Sequence, residues 1–462
     1  MTGQVFVGRE AELSTLAASW ERAVAGDPQL VAVWGRRRVG KTYLLSRFAE
    51  GKPHVYFTAT RQDSEARQLE RLYVRIGEQL GGRARLLDVA RPADWAGALR
   101  LLVELATDEP LLVVIDEMPR LLAGRADFPD LLSAVWENHV RGQRLMVAVT
   151  GSAVPAMESV LGAGGGLRGR PHERIRLDPF DAWQARTFLP NLPADQFVSA
   201  YATCGGYPLH LRGWRENQDV DANLLGLAFQ PGGLLMADAL DIMSEDLDWR
   251  SGYERVLAAI GSVSGVRRGK IASRANQRID YTLTKLRQAG YVRSERPLGQ
   301  AGTVSPQYGI ADVYLAFWLS VLRDDAELIE GGQGRAVLHR QRSRLDRHVS
   351  AAFEQLARDH AIRLVEDGRL PAGTIIGRWW RDETVEIDVL GLSGDQPVLV
   401  GEAKWRHEPI ARRDINALRR KTAHLPDTAI DAQLALWSRS GTAQDVQPAG
   451  AGLWVFTPAD MF

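Results

Sequence analysis

At 462 residues the chain holds about three domains of ~150 residues each, and 45% apolar with 25% charged residues excludes disorder or a fibrous repeat for the whole. Its 57 basic and 57 acidic residues cancel, so any surface for nucleic acid is local. One cysteine, Cys204, excludes an internal disulfide and a cysteine-built zinc site; with no leader-like start and no apolar run near the ~20 residues a membrane helix needs, a cytoplasmic protein without a membrane partner is expected.

In chain order, apolar runs at 29–34, 54–58, 110–115 and 145–150 alternate with helical patterns at 41–49 and in a long arginine-rich stretch. Strands that are apolar throughout, set between helices, predict a parallel sheet covered on both faces. Between the first strand and its helix lies Gly35-Arg36-Arg37-Arg38-Val39-Gly40-Lys41-Thr42, which fits the phosphate-loop pattern G-x-x-x-x-G-K-[ST] in the context it requires. Backbone N–H groups of such a loop wrap phosphates at a helix N-terminus. Lys41 is expected on the β and γ phosphates of ATP and Thr42 on Mg²⁺.

The run 111–115 ends in Asp116-Glu117, where Asp116 is placed to hold the magnesium and Glu117 to activate water as general base. The next run ends in Thr150-Gly151-Ser152, whose hydroxyls either sense the γ phosphate or cap the following helix.

These segments resemble the archaeal-type ATPases of the STAND branch of AAA-like P-loop proteins, together with Phe6-Val7-Gly8-Arg9-Glu10, Gly169-Arg170, Leu177-Asp178-Pro179-Phe180 and Gly205-Gly206-Tyr207-Pro208. The resemblance implies that Gly8 and Arg9 lie against the base and that Pro208, on a helical lid, closes over the nucleotide. It also implies Arg168 or Arg170 as a charge stabiliser supplied within a subunit or across a homo-oligomer.

From 180 to 245 the pattern turns helical. Residues 253–310 then read as two short helices, a third over 279–289, and a strand pair at 291–296 and 307–310, the outline of a winged helix-turn-helix. It is similar to the winged helix that follows the ATPase in one subgroup of that family. Arg274, Gln277, Arg278 and Lys285 on its helices and Arg293 on its wing are the candidate DNA contacts, a protein-docking role being the alternative. The polar stretch 323–344 reads as a linker.

Beyond it, Glu354 lies on an amphipathic helix, Asp388 on a strand over 384–390, and Glu402-Ala403-Lys404 closes the strand 397–403. Residues two apart on a strand face the same way, so Glu402 and Lys404 share a face that Asp388 can join in holding Mg²⁺ or Mn²⁺, with Lys404 beside the attacking water. This set resembles the PD-(D/E)xK nucleases, and with Trp379-Trp380-Arg381 and Trp405 the DUF234-type C-terminal domain found on archaeal-type ATPases. Arg412 and Arg413, with Arg419, Arg420 and Lys421, form either a phosphate track or a solvated face.

The expected fold is multidomain α/β: a P-loop core over 1–180, a helical lid and connector over 181–250, a winged helix-turn-helix over 251–322, the linker over 323–344 and a restriction-endonuclease-like domain over 345–462. The expected function is an ATPase that binds DNA and controls a metal-dependent DNA nuclease, or else an ATP-driven switch whose C-terminal domain docks without cutting.

Overall fold

A computed structural model describes residues 6–61, 63–85, 91–246, 251–300, 304–381, 385–425, 429, 431–444, 446 and 452–462. The chain forms two compact units, Met1–Pro179 with Asp241–Asp248, and Phe180–Leu240 with Trp249–Phe462.

The first unit is built on five parallel strands, β1 (Gln29–Trp34), β2 (His54–Thr58), β3 (Leu111–Asp116), β4 (Leu145–Gly151) and β5 (Glu173–Arg176), in the order β2-β3-β4-β1-β5. Every residue of β3 and β4 is buried, as their unbroken apolar runs require between two helical layers. Helix α1 (Glu10–Val24) precedes β1, α2 (Lys41–Ala49) follows it, and α3 (Glu65–Leu80) follows β2. In α3, Leu69, Leu72, Tyr73, Ile76 and Leu80 are buried at three- and four-residue spacing, which explains how so arginine-rich a stretch still packs. Trp95, on α4 (Trp95–Glu104), meets Phe57 at 5.8 Å and Phe128, on α5 (Phe128–His139), at 5.1 Å, both edge-on. The strand β5 was not anticipated, because only Ile175 of its four residues is buried and so short a segment carries no periodic signal.

Because β4 lies between β1 and β3, the carboxyl ends of all three reach one rim, with Trp34 paired to Gly151 and Ile115 to Val149. That rim is where open α/β sheets bind ligands.

The second unit begins with helices that include α6 (Ala194–Cys204) and α7 (Pro208–Gly213). Three more, α8 (Ser251–Ile260), α9 (Arg268–Ala275) and α10 (Asp280–Gln288), accompany a small antiparallel sheet of β6 (Val266–Arg267), which lies between α8 and α9, and β7 (Val292–Glu295) and β8 (Gln307–Ile310), which follow α10, ordered β6-β8-β7.

The expected linker over 323–344 is corrected here: it is helical. Short helices run to Gln333, broken at Gly332 with φ of 80°, and α11 (Gly334–Glu366) then continues for 33 residues. Its buried positions recur at three and four, but four of them, Gln341, His348, Arg358 and His360, are polar, so composition hid the pattern. Gln341 donates to Asp325 at 2.5 Å and His348 Nε2 pairs with the Ala202 carbonyl at 2.6 Å, which offsets part of the cost of burying them, His348 Nδ1 being buried without a hydrogen bond.

Helix α11 packs on a second five-stranded sheet of β9 (Ile375–Trp380), β10 (Glu386–Ser393), β11 (Gln396–Lys404), β12 (Gln433–Ser438) and β13 (Leu453–Phe456), in the order β13-β12-β11-β10-β9. The pairings β9–β10–β11 are antiparallel and β11–β12–β13 parallel. Thr384, expected to start the β10 strand, lies outside the described residues. Among the described residues no helix is long and apolar enough to cross a membrane.

Candidate functional site

The phosphate loop is shaped by backbone that only certain residues allow. Gly35 could not carry a side chain, since a Cβ there would lie 2.0 Å from the Leu177 carbonyl oxygen. Gly40, with φ of 98°, turns the chain into α2, and Arg38 takes a left-handed φ of 71° before Val39 buries. Lys41 is buried, and its Nζ donates to the carbonyls of Gly35 at 2.8 Å and Arg36 at 2.9 Å, both inside the loop it is expected to serve. Gly8 is also left-handed, with φ of 71°, and Arg9 bridges the rim by donating to the carbonyls of Asp178 at 2.5 Å and Val39 at 3.4 Å.

Asp116 is buried at the end of β3 and is the hub of a hydroxyl cluster. Thr150 donates to its Oδ1 at 2.9 Å; Tyr56, Thr42 and Thr58 approach Oδ2 at 3.3, 3.4 and 3.5 Å. Burial, reinforced by the Asp116 charge, pushes the Tyr56 phenol above its ordinary pKa and keeps it a neutral donor. Tyr56 and Thr58 were missed in the sequence; the usable signal is the parallel pairing of β2 with β3, which sets Thr58 opposite Asp116. Thr42 and Asp116 supply the hard oxygen donors that suit magnesium, which when bound would neutralise phosphate charge.

Glu117 follows in a left-handed conformation, φ 57°, strained for a residue with a side chain. That turn carries its carboxylate to Ser152, whose Oγ lies 2.9 Å from Oε1 and 2.8 Å from Oε2 and whose amide donates at 3.3 Å. The two motifs at the ends of β3 and β4 thereby meet: Asp116 accepts from Thr150, and Glu117 is held by the Ser152 hydroxyl and amide.

The arginines divide. Arg168 is exposed, whereas Arg170 donates from Nε to Ser133 at 2.9 Å and pairs with Glu137, both on α5. Pro208 opens α7 in the second unit. The preceding Gly206 is obligatory, a Cβ there meeting the Phe180 carbonyl oxygen at 1.9 Å.

Of the candidate DNA contacts, Arg278 and Lys285 are exposed, and Tyr281 beside them is 70% exposed. Arg293 is turned inward: it donates to Gln355 at 2.6 Å and to the Val263 carbonyl at 2.8 Å, which takes it off the outer face of the small sheet. Gln277 donates to Gly252 at 2.9 Å and Arg274 to Ala259 at 3.2 Å, so both brace α8. Arg412 and Arg413 are exposed at the start of α12 (Arg412–Thr422).

In the C-terminal sheet, the pairing of β10 with β9 shifts between Ile387 and Leu390, an irregularity that frees Asp388 from that ladder. Asp388 instead accepts from the Ala403 amide at 3.0 Å, joining the ends of β10 and β11. Glu402 is buried, and its two oxygens are taken separately by Lys404 and Lys421. Lys421 is thus a member of the cluster rather than part of an external track. Only six of the 57 basic residues are lysine, and two of the six meet on this one carboxylate.

Burial, then the charge of Asp388, pushes the Glu354 carboxyl up to about 8; burial, then Glu402, pushes Asp388 up to about 6. Lys404, though burial pulls it down, is held above its ordinary value by Glu402. Arg358, which donates to the Asp388 carbonyl at 3.1 Å, was not anticipated; its position one turn after Glu354 on α11 is the signal. Among the described residues no three His, Cys, Asp or Glu side chains converge as a metal site. The donors Asp388 and Glu402 have the hard-oxygen chemistry for Mg²⁺ or Mn²⁺, but Glu402 would have to exchange a lysine for the ion.

The model of an ATPase domain predominantly from Archaea matches residues 6–213, and that of DUF234, archaeal and bacterial proteins of unknown function, matches 318–418. Over 433 residues, 90% of each chain, the protein is 23% identical to an uncharacterized protein of Methanocaldococcus jannaschii. A 48-residue stretch, 10% of this chain and 76% of the relative, is 44% identical to an uncharacterized ATP-binding protein of that organism. The fold is similar to the Walker-type ATPase of Pyrococcus abyssi, with a TM-score of 0.53 and 20% identity over 68% of this chain and 96% of that one.

Proposed function

From a chain that carries an archaeal-type ATPase domain at its N-terminus and a DUF234 domain at its C-terminus, we propose an ATP-hydrolysing, DNA-binding protein whose C-terminal domain is a metal-dependent DNA nuclease under nucleotide control. The observation that carries the ATPase half is the grouping of Lys41, Asp116, Glu117 and Ser152 on one sheet rim. Lys41 draws phosphate into the loop, Asp116 and Thr42 hold magnesium, and Glu117, aimed by Ser152, takes a proton from water. Gly8, Arg9 and Pro208 are proposed nucleotide contacts, and Arg168 the stabilising charge, supplied within the chain or by a second copy.

For the C-terminal domain, support comes from two half-buried carboxyls raised in pKa, Glu354 and Asp388, the second of them near Lys404, an arrangement typical of functional sites. Removing a proton from Asp388 and freeing Glu402 would create the anionic donor pair, leaving Lys404 to orient water. The double lysine clamp on Glu402 favours a second reading, in which the domain keeps this fold and docks nucleic acid or protein without cutting. Incubating the protein with labelled single- and double-stranded DNA, with and without Mg²⁺, Mn²⁺ and ATP, separates them. Divalent-dependent cutting supports the first, and its absence under every condition leaves the second.

A further inference from the structure

A cleft of about 810 Å³ opens in the second unit between α8, the loop leading to β6, and α11. Its walls carry Arg255, Arg274, Arg323, Arg344 and Arg347 against only two acids, Asp324 and Glu354. Asp324 is occupied by Arg323 at 2.7 Å and Arg344 at 3.3 Å. Arg255 and Arg347 project from exposed positions. In a chain without net charge this is a concentrated positive surface. Ordinary small-molecule pockets are mainly apolar, whereas guanidinium groups present paired N–H donors that match phosphate oxygens.

The positions along α11 add direction. Arg344, Arg347, Ala351 and Glu354 recur at three and four and form one stripe, which runs ~15 Å from the first to the last at 1.5 Å per residue. It ends at Glu354, the residue coupled by charge to Asp388. Reading duplex DNA takes an element that protrudes into a groove, while a concave cleft takes a strand.

We propose that this cleft binds the phosphate backbone of a single nucleic-acid strand, with Arg255, Arg274 and Arg347 as phosphate contacts, and that the strand enters here rather than across α10. The proposal rests on reading the C-terminal domain as one that engages nucleic acid. It does not require cutting.

The test is fluorescence anisotropy of a labelled single-stranded oligonucleotide with the full chain, without divalent ions, over a salt series. Arg255→Ala/Arg347→Ala is expected to weaken binding about tenfold or more and to flatten the log-log salt slope by ~1.4, the share of two phosphate contacts. Arg278→Ala/Lys285→Ala, just before and on α10, should stay within about twofold of the parent. Both pairs are exposed, and a parent-like circular-dichroism spectrum and melting curve certify the fold of the varied unit. No strand binding by the parent protein overturns the proposal, as does unchanged affinity in the cleft variant or loss confined to the α10 variant. Displacement by tripolyphosphate as effectively as by unlabelled strand would reassign the cleft to a compact polyphosphate. Strand binding through the cleft with no cutting in Mg²⁺ or Mn²⁺ would sink the nuclease reading and leave this one standing.

Discussion

The hydroxyl of Ser152 meets both carboxylate oxygens of Glu117, at 2.9 and 2.8 Å, across the gap between the ends of β4 and β3. Sequence leaves Ser152 divided between sensing phosphate and capping a helix; the contact places it on the base that Glu117 would be. A group that orients a base without touching phosphate should affect turnover more than affinity. Ser152→Ala is expected to lower kcat about tenfold while leaving the ATP Kd near the parent value, part of the ~100-fold or more that general-base help supplies. Equal losses in kcat and affinity would return Ser152 to the phosphate.

Lys41 and Glu117 should fail differently. Lys41→Ala removes the cation that the loop holds against phosphate and is expected to weaken nucleotide binding and end turnover. Glu117→Gln should bind ATP yet hydrolyse it at least ~100-fold more slowly. Near-normal hydrolysis by Glu117→Gln takes that residue out of the chemistry.

Gly35→Ala introduces a methyl group 2.0 Å from the Leu177 carbonyl oxygen, a backbone atom that cannot swing aside. The β1 end and the loop must shift together, at a cost of ~2 kcal/mol or more. A lower melting temperature together with lost ATP binding is expected; a parent-like melt with full binding would mean the loop relaxes freely.

Neutralising Asp388 or Glu402 should destroy any metal-dependent cutting and leave ATP hydrolysis intact, because the two sets of residues lie in different units. Asp388→Asn and Glu402→Gln, assayed for both activities, check this. Loss of ATPase activity in both variants would show that the carboxylates support folding of the whole chain instead.

The raised carboxyl of Glu354 makes stability depend on pH with a defined sign. The folded chain keeps a proton up to about pH 8 that the unfolded chain releases near its ordinary 4.5. Folding therefore binds a proton between those values, and stability falls as pH rises through that window. Melting temperature should decline from pH ~5 to ~8, and Glu354→Gln should flatten the upper part of that decline, leaving the Asp388 contribution below about 6. A parallel decline in the variant would assign the effect elsewhere.

ATP and single-stranded DNA should also be linked if nucleotide state gates the C-terminal domain. Affinity for ATP at saturating DNA is expected to differ at least about fivefold from the DNA-free value, and the reverse by the same factor. Identical affinities would leave two independent activities on one chain.

What the sequence alone determined is local. The phosphate loop is legible because Gly35, Gly40, Lys41 and Thr42 must be neighbours to wrap a phosphate. The β3 and β4 runs are legible because strands buried on both faces are apolar throughout. Glu402 and Lys404 share a face by the two-residue period of a strand. What the tertiary structure decided is which distant residues meet. Lys421 lies 19 positions from Glu402 and closes on it only when α12 packs over β11; Tyr56 reaches Asp116 only through strand pairing; Arg293 turns inward only because α11 offers Gln355. The stretch 323–344 reads as a linker because it is largely polar and one of the positions that bury its helix, Gln341, is polar with a partner, Asp325, 16 residues away. Propensity and periodicity act over a few residues, whereas burial of a polar group is decided by a hydrogen-bond partner that the fold alone delivers.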